Sequence, residues 1–469
     1  MSDPIHYMTI RALAAEIEAR RLSPVAVTEH MLARIAALDG RLKAYATVMA
    51  ESALAEARQA EAEIAAGRYR GKLHGVPVAV KDLCYTKGVR TMGGLKVRAD
   101  FVPDFDATVV ERLRAAGAVL LGKINLTEGA MAGYNPDFPV PENPWRASHW
   151  SGASSSGSGA ATAAGLAFAT LGSDTGGSIR HPAAVCGTVG LKPTYGLVSR
   201  HGVLDLAQTL DHVGPLTRSA VDAGIVTQAI AGHDPRDPTS LPDPVPDLLA
   251  GVGRSVRGLR IGFDARYASE DLAPDFAAGI AAARDVMARL GAEIVPVAMP
   301  ARLREYMEAW QVLCTAEAAD AHRAFFPARA DDYGPWFRQW LEIGNRHTAM
   351  DYAAAHILRT ECNGEMRRIM ADIDLFLCPS TAREAFPVSP EVSYGPIPAD
   401  RSAWNGRFTW PSDYAGLPTL SLPCGLSEAG LPLSLQFIGH HQSEALLVQA
   451  GAAYESATDW HTLHPPGWD

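Results

Sequence analysis

The chain has 469 residues with a formal net charge of -10, 47% of them hydrophobic and 20% charged, a balance that excludes a disordered or fibrous protein. The negative charge works against attraction to phosphate backbones and anionic membrane surfaces, so neither nucleic acid nor membrane is an expected partner. Six cysteines lie far apart with no C-x-x-C pair, which excludes a disulfide framework and a metal knuckle.

The opening residues, Met1 to Glu16, lack a basic segment followed by an apolar one, and no apolar run is long enough to span a bilayer, so a cytoplasmic protein is expected. From Thr9 to about Gly67 the apolar positions recur at three and four, which predicts two or three helices, with Ser23-Pro24 as cap and first turn and Gly67 as a stop. Val76 to Val80 reads as a buried strand that delivers Lys81 and Asp82 at its end. A helix over Ala107 to Ala115 and a strand over Ala118 to Leu121 follow, and this alternation predicts an α/β fold with a mixed sheet.

Between Trp150 and Tyr195 the composition turns to Gly, Ser, Ala and Thr. A flexible linker has that composition, but linkers do not run into apolar stretches such as Ala163 to Leu171 and Val185 to Leu191, so packed structure is expected. The Pro- and Asp-rich run from Gly232 to Pro246 reads as an internal boundary or a long surface loop. Later strands are expected at Leu259 to Phe263, Glu293 to Val297, Leu375 to Cys378, Thr419 to Leu422 and Leu433 to Ile438, and an ordered loop at Phe386 to Pro398. The segment Trp310 to Met350 is dense in aromatic residues, and its spacing fits a cap over an apolar pocket and a helical core equally well.

Two serines in this small-residue region could carry chemistry: Ser154 in Gly152-Ala153-Ser154-Ser155-Ser156-Gly157, and Ser178 in Asp174-Thr175-Gly176-Gly177-Ser178-Ile179-Arg180. Gly176 and Gly177 let the backbone approach a ligand closely, so that consecutive N–H groups can converge as an oxyanion hole requires. A lone T-G-G-S is more often a plain tight turn. A serine nucleophile also needs a base, and all seven lysines lie within the first 192 residues, so a lysine base comes from the N-terminal part. No G-x-S-x-G elbow, S-x-x-K, H-E-x-x-H or P-loop pattern occurs, which removes the common esterase, penicillin-binding, metalloprotease and nucleotide-hydrolase frameworks. His149, His181 and His212 lie near these motifs without metal-like spacing, and Asp174 and Arg180 are expected to form a mutual ion pair that braces the turn.

Taken together, Val76 to Asp82, Gly152 to Ala160, Gly172 to Arg180 and Gly190 to Gly196 resemble the amidase signature family, with a core over about 73–219 and weaker similarity along nearly the whole chain, including Asp413 to Pro418. The separation of Ser154 and Ser178, 24 residues, is that of the family's two catalytic serines. The resemblance implies one domain over 1–469, a large mixed twisted sheet with helices on both faces, and a variable substrate-covering segment at about 300–410. It implies Ser178 as nucleophile, Ser154 as relay behind a cis peptide bond from Ala153, and Lys81 as a base uncharged at rest. The backbone N–H groups of Thr175, Gly176, Gly177 and Ser178 would hold the oxyanion, and Ala130 and Met131 would contact the substrate. Neither a metal nor another cofactor is implied. The substrate would be a small amide, aryl or hydrophobic, hydrolysed by water; a carbamate or ester on the same triad is one alternative, and a glutaminase-type subunit of a tRNA-dependent amidotransferase another. A homodimer is left open.

Overall fold

In the computed structural model, which describes residues 4–398 and 406–468, the first helices are α1 (Ile10–Glu18) and α2 (Pro24–Leu42). The Ser23 hydroxyl caps α2 by accepting the Ala26 N–H, and Pro24 takes the first turn, where a missing N–H costs nothing. The chain leaves α2 through Lys43 in a left-handed conformation and enters a short edge strand, β1 (Tyr45–Val48), before α3 (Ala50–Ala65). That strand interrupts the all-helical reading of this region, because four residues are too few to show an alternating pattern.

There follow β2 (Pro77–Lys81), α4 (Thr108–Ala115), β3 (Val119–Ile124), α5 (Ser156–Ala163), β4 (Ala169–Asp174), α6 (Arg180–Cys186), β5 (Val189–Lys192), β6 (His212–Thr217) and α7 (Ala220–Ile230). Beyond the Pro/Asp-rich run come β7 (Arg260–Phe263), α8 (Pro274–Arg289), β8 (Glu293–Pro296), α9 (Leu303–Ala321), α10 (Pro335–Gly344) and α11 (Ala349–Met370). The chain closes with β9 (Leu375–Pro379), α12 (Pro390–Tyr394), α13 (Trp410–Tyr414), β10 (Thr419–Leu426), β11 (Pro432–Gly439) and α14 (Glu444–Ser456).

The strands form a single 11-stranded sheet in the order β1-β3-β2-β4-β6-β5-β10-β11-β9-β7-β8. Pairing is parallel from β3 through β2 to β4 and from β9 through β7 to β8, and antiparallel elsewhere, so the sheet is mixed. Every residue of β2, β3, β4 and β11 is buried, as strands covered on both faces must be. Strands from either side of 232–246 pair directly, β5 with β10, so that run is a loop over one continuous sheet. The Phe386 to Pro398 segment contains the one-turn α12 in an otherwise irregular path, and residues 399–405 of the expected covering segment lie outside the described residues. No helix among the described residues is long and apolar enough to cross a membrane.

The small-residue segment is packed because its backbone runs close to its neighbours. A Cβ on Gly157 in α5 would stand 2.5 Å from the Asn125 carbonyl oxygen, and one on Gly159 2.8 Å from that of Pro182. Bulk is missing here because neighbouring backbone occupies the space.

Candidate active site

Strand β2, between β3 and β4, ends by projecting Lys81 into a site with no exposure to solvent. Its Nζ lies 2.7 Å from Ser154 Oγ and 2.9 Å from both Ser155 Oγ and Ser173 Oγ. No carboxylate is within ion-pairing distance of it among the described residues. Asp82 turns the other way, 3.2 Å from the buried Lys123 Nζ, and accepts the Met92 N–H at 3.0 Å. Burial lowers the Lys81 amine from 10.5 to about 7, opposed by Cys84, Asp174 and Asp211.

The Ala153–Ser154 peptide bond is cis, as the resemblance implies. The Ser154 carbonyl accepts the Thr127 N–H at 3.2 Å, and the Ser155 N–H is donated to the Ser178 carbonyl at 3.3 Å, so the two serine loops are laced together through their backbones. Ser178 itself is half-buried, at the head of the turn before α6. Its hydroxyl has no hydrogen-bond partner among the described residues, so the structure closes the Lys81–Ser154 link and leaves the Ser154–Ser178 link open.

The turn that carries Ser178 is held from behind. Asp174, the last residue of β4, accepts the N–H groups of Gly177 at 2.5 Å and Ile179 at 3.0 Å. Arg180 Nη2 lies 2.9 Å from Asp174 and 2.7 Å from Asp413, and Nη1 donates to the Thr409 carbonyl at 2.9 Å and Ser412 Oγ at 2.8 Å. The expected Asp174–Arg180 pair is therefore one side of a buried triad closed by Asp413 from α13. Burial works against ionisation of Asp174, but Arg180 prevails and holds its carboxyl well below the usual range. Asp413, pushed the other way by burial and by the charge of Asp174, lies well above it.

Two more bonds fix the peptide planes of the turn. Trp310 Nε1 in α9 donates to the Thr175 carbonyl at 2.9 Å, and Thr409 Oγ1 donates to the Gly176 carbonyl at 2.6 Å. The N–H groups of Thr175, Gly176 and Ser178 have no partner among the described residues. Gly177 departs from the expectation of four oxyanion donors, since its N–H is committed to Asp174. At φ +135° it must be glycine, and a Cβ there would stand 2.4 Å from His181 Cε1.

Beside Ala153 opens a recess of about 190 Å³ walled by Tyr134, Trp150, Trp336, Phe386 and Val388. Of the two expected substrate contacts, Ala130 lines a different recess, with Arg98, Asp205 and His322. The reason is local: Gly129 and Ala130 are both left-handed, at φ 58° and 60°, which turns the chain so that Ala132 and Gly133 face the recess beside Ala153. Met131, half-buried, lines neither. The aromatic segment divides between its two readings. Tyr333, Phe337 and Trp340 are core, whereas Trp336 walls the recess and Trp310 holds the turn and stacks on Trp410 with ring centroids 5.1 Å apart.

Sequence reasoning missed Ser173, Trp310, Thr409 and Asp413 as residues of this site. Ser173 and Asp413 stand inside the motifs that carry the resemblance, and that position was their signal. Trp310 and Thr409 lie outside those motifs, and nothing local to either marked its bond to the turn.

Residues 26–448 match the family model described as Amidase. This chain belongs to the amidase signature family and is an amide-hydrolysing enzyme. Among its relatives is AmiD of Mycobacterium tuberculosis, an inferred amidase 44% identical over 467 residues, covering 99% of this chain and 97% of that protein. A glutamyl-tRNA(Gln) amidotransferase subunit of Chloroflexus aggregans is 38% identical over 486 residues, covering 98% of each. Of solved structures, the native peptide amidase of Stenotrophomonas maltophilia superposes with a TM-score of 0.86 at 32% identity, over 99% of this chain and 100% of that one.

Proposed function

We propose that the enzyme hydrolyses aryl or otherwise hydrophobic carboxamides through an acyl-enzyme on Ser178, with Ser154 as proton relay and Lys81 as base. The observation that carries this reading is the fully buried Lys81 amine, 2.7 Å from Ser154 Oγ and without a carboxylate partner. An amine so placed is uncharged over part of the neutral range and can accept a proton.

Ser178 Oγ attacks the carbonyl carbon while its proton passes to Ser154 and the Ser154 proton passes to Lys81. The developing oxyanion is met by the N–H groups of Thr175, Gly176 and Ser178, each such donor being worth about 2.7–4 kcal/mol in comparable sites. Collapse breaks the C–N bond, and the departing amine takes a proton back along the same route. Water then repeats the attack on the acyl-enzyme and releases the acid. The open Ser154–Ser178 link closes by rotation of the Ser178 side chain when substrate fills the recess, since catalytic hydrogen bonds tighten in the substrate complex.

The aromatic wall of the recess supports the choice of a flat or apolar substituent. Carbamates and esters present the same electrophilic carbon and belong in the same assay. The 38% identity to an amidotransferase subunit favours a second reading, a glutaminase-type subunit that acts within a complex. A panel of anilide, carbamate, ester and glutamine substrates, run with wild type and Ser178→Ala, separates them. Turnover of anilides that vanishes in Ser178→Ala is expected; activity on glutamine or small aliphatic amides alone would overturn the substrate assignment.

A further inference from the structure

The neutral amine that the proposed mechanism requires has two N–H groups and one lone pair, yet three hydroxyl oxygens surround Lys81 Nζ at 2.7–2.9 Å. Which oxygen faces the lone pair decides whether the relay can run. The hydrogen bonds around Ser155 settle part of the question. Its hydroxyl donates to the Ser173 carbonyl at 3.2 Å, and its oxygen accepts the Ser173 N–H at 3.3 Å. With its only hydrogen spent, Ser155 can do nothing toward Lys81 but accept. The Ser173 hydroxyl has no partner besides Lys81 among the described residues and is free to rotate into an accepting orientation.

We infer that Ser155 and Ser173 are positioning residues that take up the two N–H groups of the neutral Lys81 amine and so aim its lone pair at the Ser154 hydroxyl. The inference rests on the Ser178–Ser154–Lys81 reading above. It also accounts for the protonated state: once the amine has received the Ser154 proton it carries three N–H groups, and all three oxygens then accept. The same three side chains fit both states without moving, so the proton transfer requires no rearrangement of the site. Ser155 further ties this arrangement to the nucleophile, because its own N–H is donated to the Ser178 carbonyl.

The other groups facing the amine are few. Cys84 follows it along the chain, Asp174 comes from the end of β4 and Asp211 from the turn before β6, where Asp211 accepts the Thr175 hydroxyl at 2.5 Å. Asp82 and Lys123 on β3 neutralise one another at 3.2 Å. None of these accepts a hydrogen bond from Lys81.

The test is the pH profile of kcat/KM for Ser155→Ala and Ser173→Ala, with Ser173→Thr as the conservative variant. Removing an acceptor disfavours the ammonium, so the acid limb should move down by about one pH unit. Misdirecting the lone pair should lower kcat by about 10- to 100-fold with KM little changed. Ser173→Thr, which keeps the hydroxyl on a strand position that suits threonine, should restore both. Each alanine variant carries the prediction independently, so misfolding of one leaves the other to decide. An acid limb and kcat unmoved in a folded alanine variant overturn the inference. Turnover retained by Lys81→Met would instead overturn the triad reading on which it stands.

Discussion

Around Lys81 the chain places three serine hydroxyls and no ion pair, whereas behind the Ser178 turn it buries Arg180 between Asp174 and Asp413. Both surroundings are fully desolvated, so the difference is one of partners. An ionised side chain survives burial when it is paired and gives up its charge when it is not. On the side where the proposed mechanism calls for an uncharged amine, no carboxylate pairs with it among the described residues, and the adjacent Asp82 turns toward Lys123. The side that needs a rigid turn uses charge as a clamp.

The most severe way to break this division is to remove the group both sides serve. Ser178→Ala should lower kcat by about 10⁶-fold, the loss expected of a relay's nucleophile, with the melting temperature unchanged. Lys81→Met should lower kcat by about 10²- to 10⁴-fold, the range of general base catalysis, and has a second signature. Because the folded amine titrates at about 7 and the unfolded one at 10.5, the unfolded chain holds the extra proton between those values and wild-type stability gains with pH across that window. Chemical denaturation from pH 7 to pH 10.5 should show that slope diminished in Lys81→Met; an identical slope would place a charged lysine in the native state.

On the clamped side, Arg180→Met leaves the ionised Asp174 buried without its cation and should cost about 3–5 kcal/mol, read as a lowered unfolding midpoint. Midpoints equal to wild type would mean that Asp174 needs no counterion, and the contrast between the two sides would fail. The smallest effect is expected at Trp336→Ala, which trims the recess without touching either side: kcat/KM for aryl amides should fall about tenfold while that for acetamide stays level.

Much of this site was legible in the sequence because its residues lie in short, contiguous motifs. The apolar run into Lys81 gave a buried strand end, and Gly176-Gly177-Ser178 gave a turn. Partners from far along the chain were not legible. Nothing local to Trp310 or Thr409 indicates that each bonds a carbonyl more than 100 residues away, and nothing around Lys123 marks it as the partner of Asp82. That Ala130 lies away from the recess beside Ala153 has a backbone reason, two successive left-handed residues that no spacing rule reveals. The aromatic segment could not be divided into core and wall, since Trp336 and Phe337 are neighbours on one helix and differ only in which way each faces.

The Trp310 and Thr409 bonds have a consequence for exchanging parts between relatives. They grip the oxygens of the Thr175 and Gly176 peptides, and a planar amide held by its oxygen cannot freely reorient its nitrogen. The segment that carries Trp310 and Thr409 thus also sets the aim of the turn. A chimera that imports residues 300–410 to gain a new specificity would need an indole and a hydroxyl at those two places, or it would trade recognition for rate.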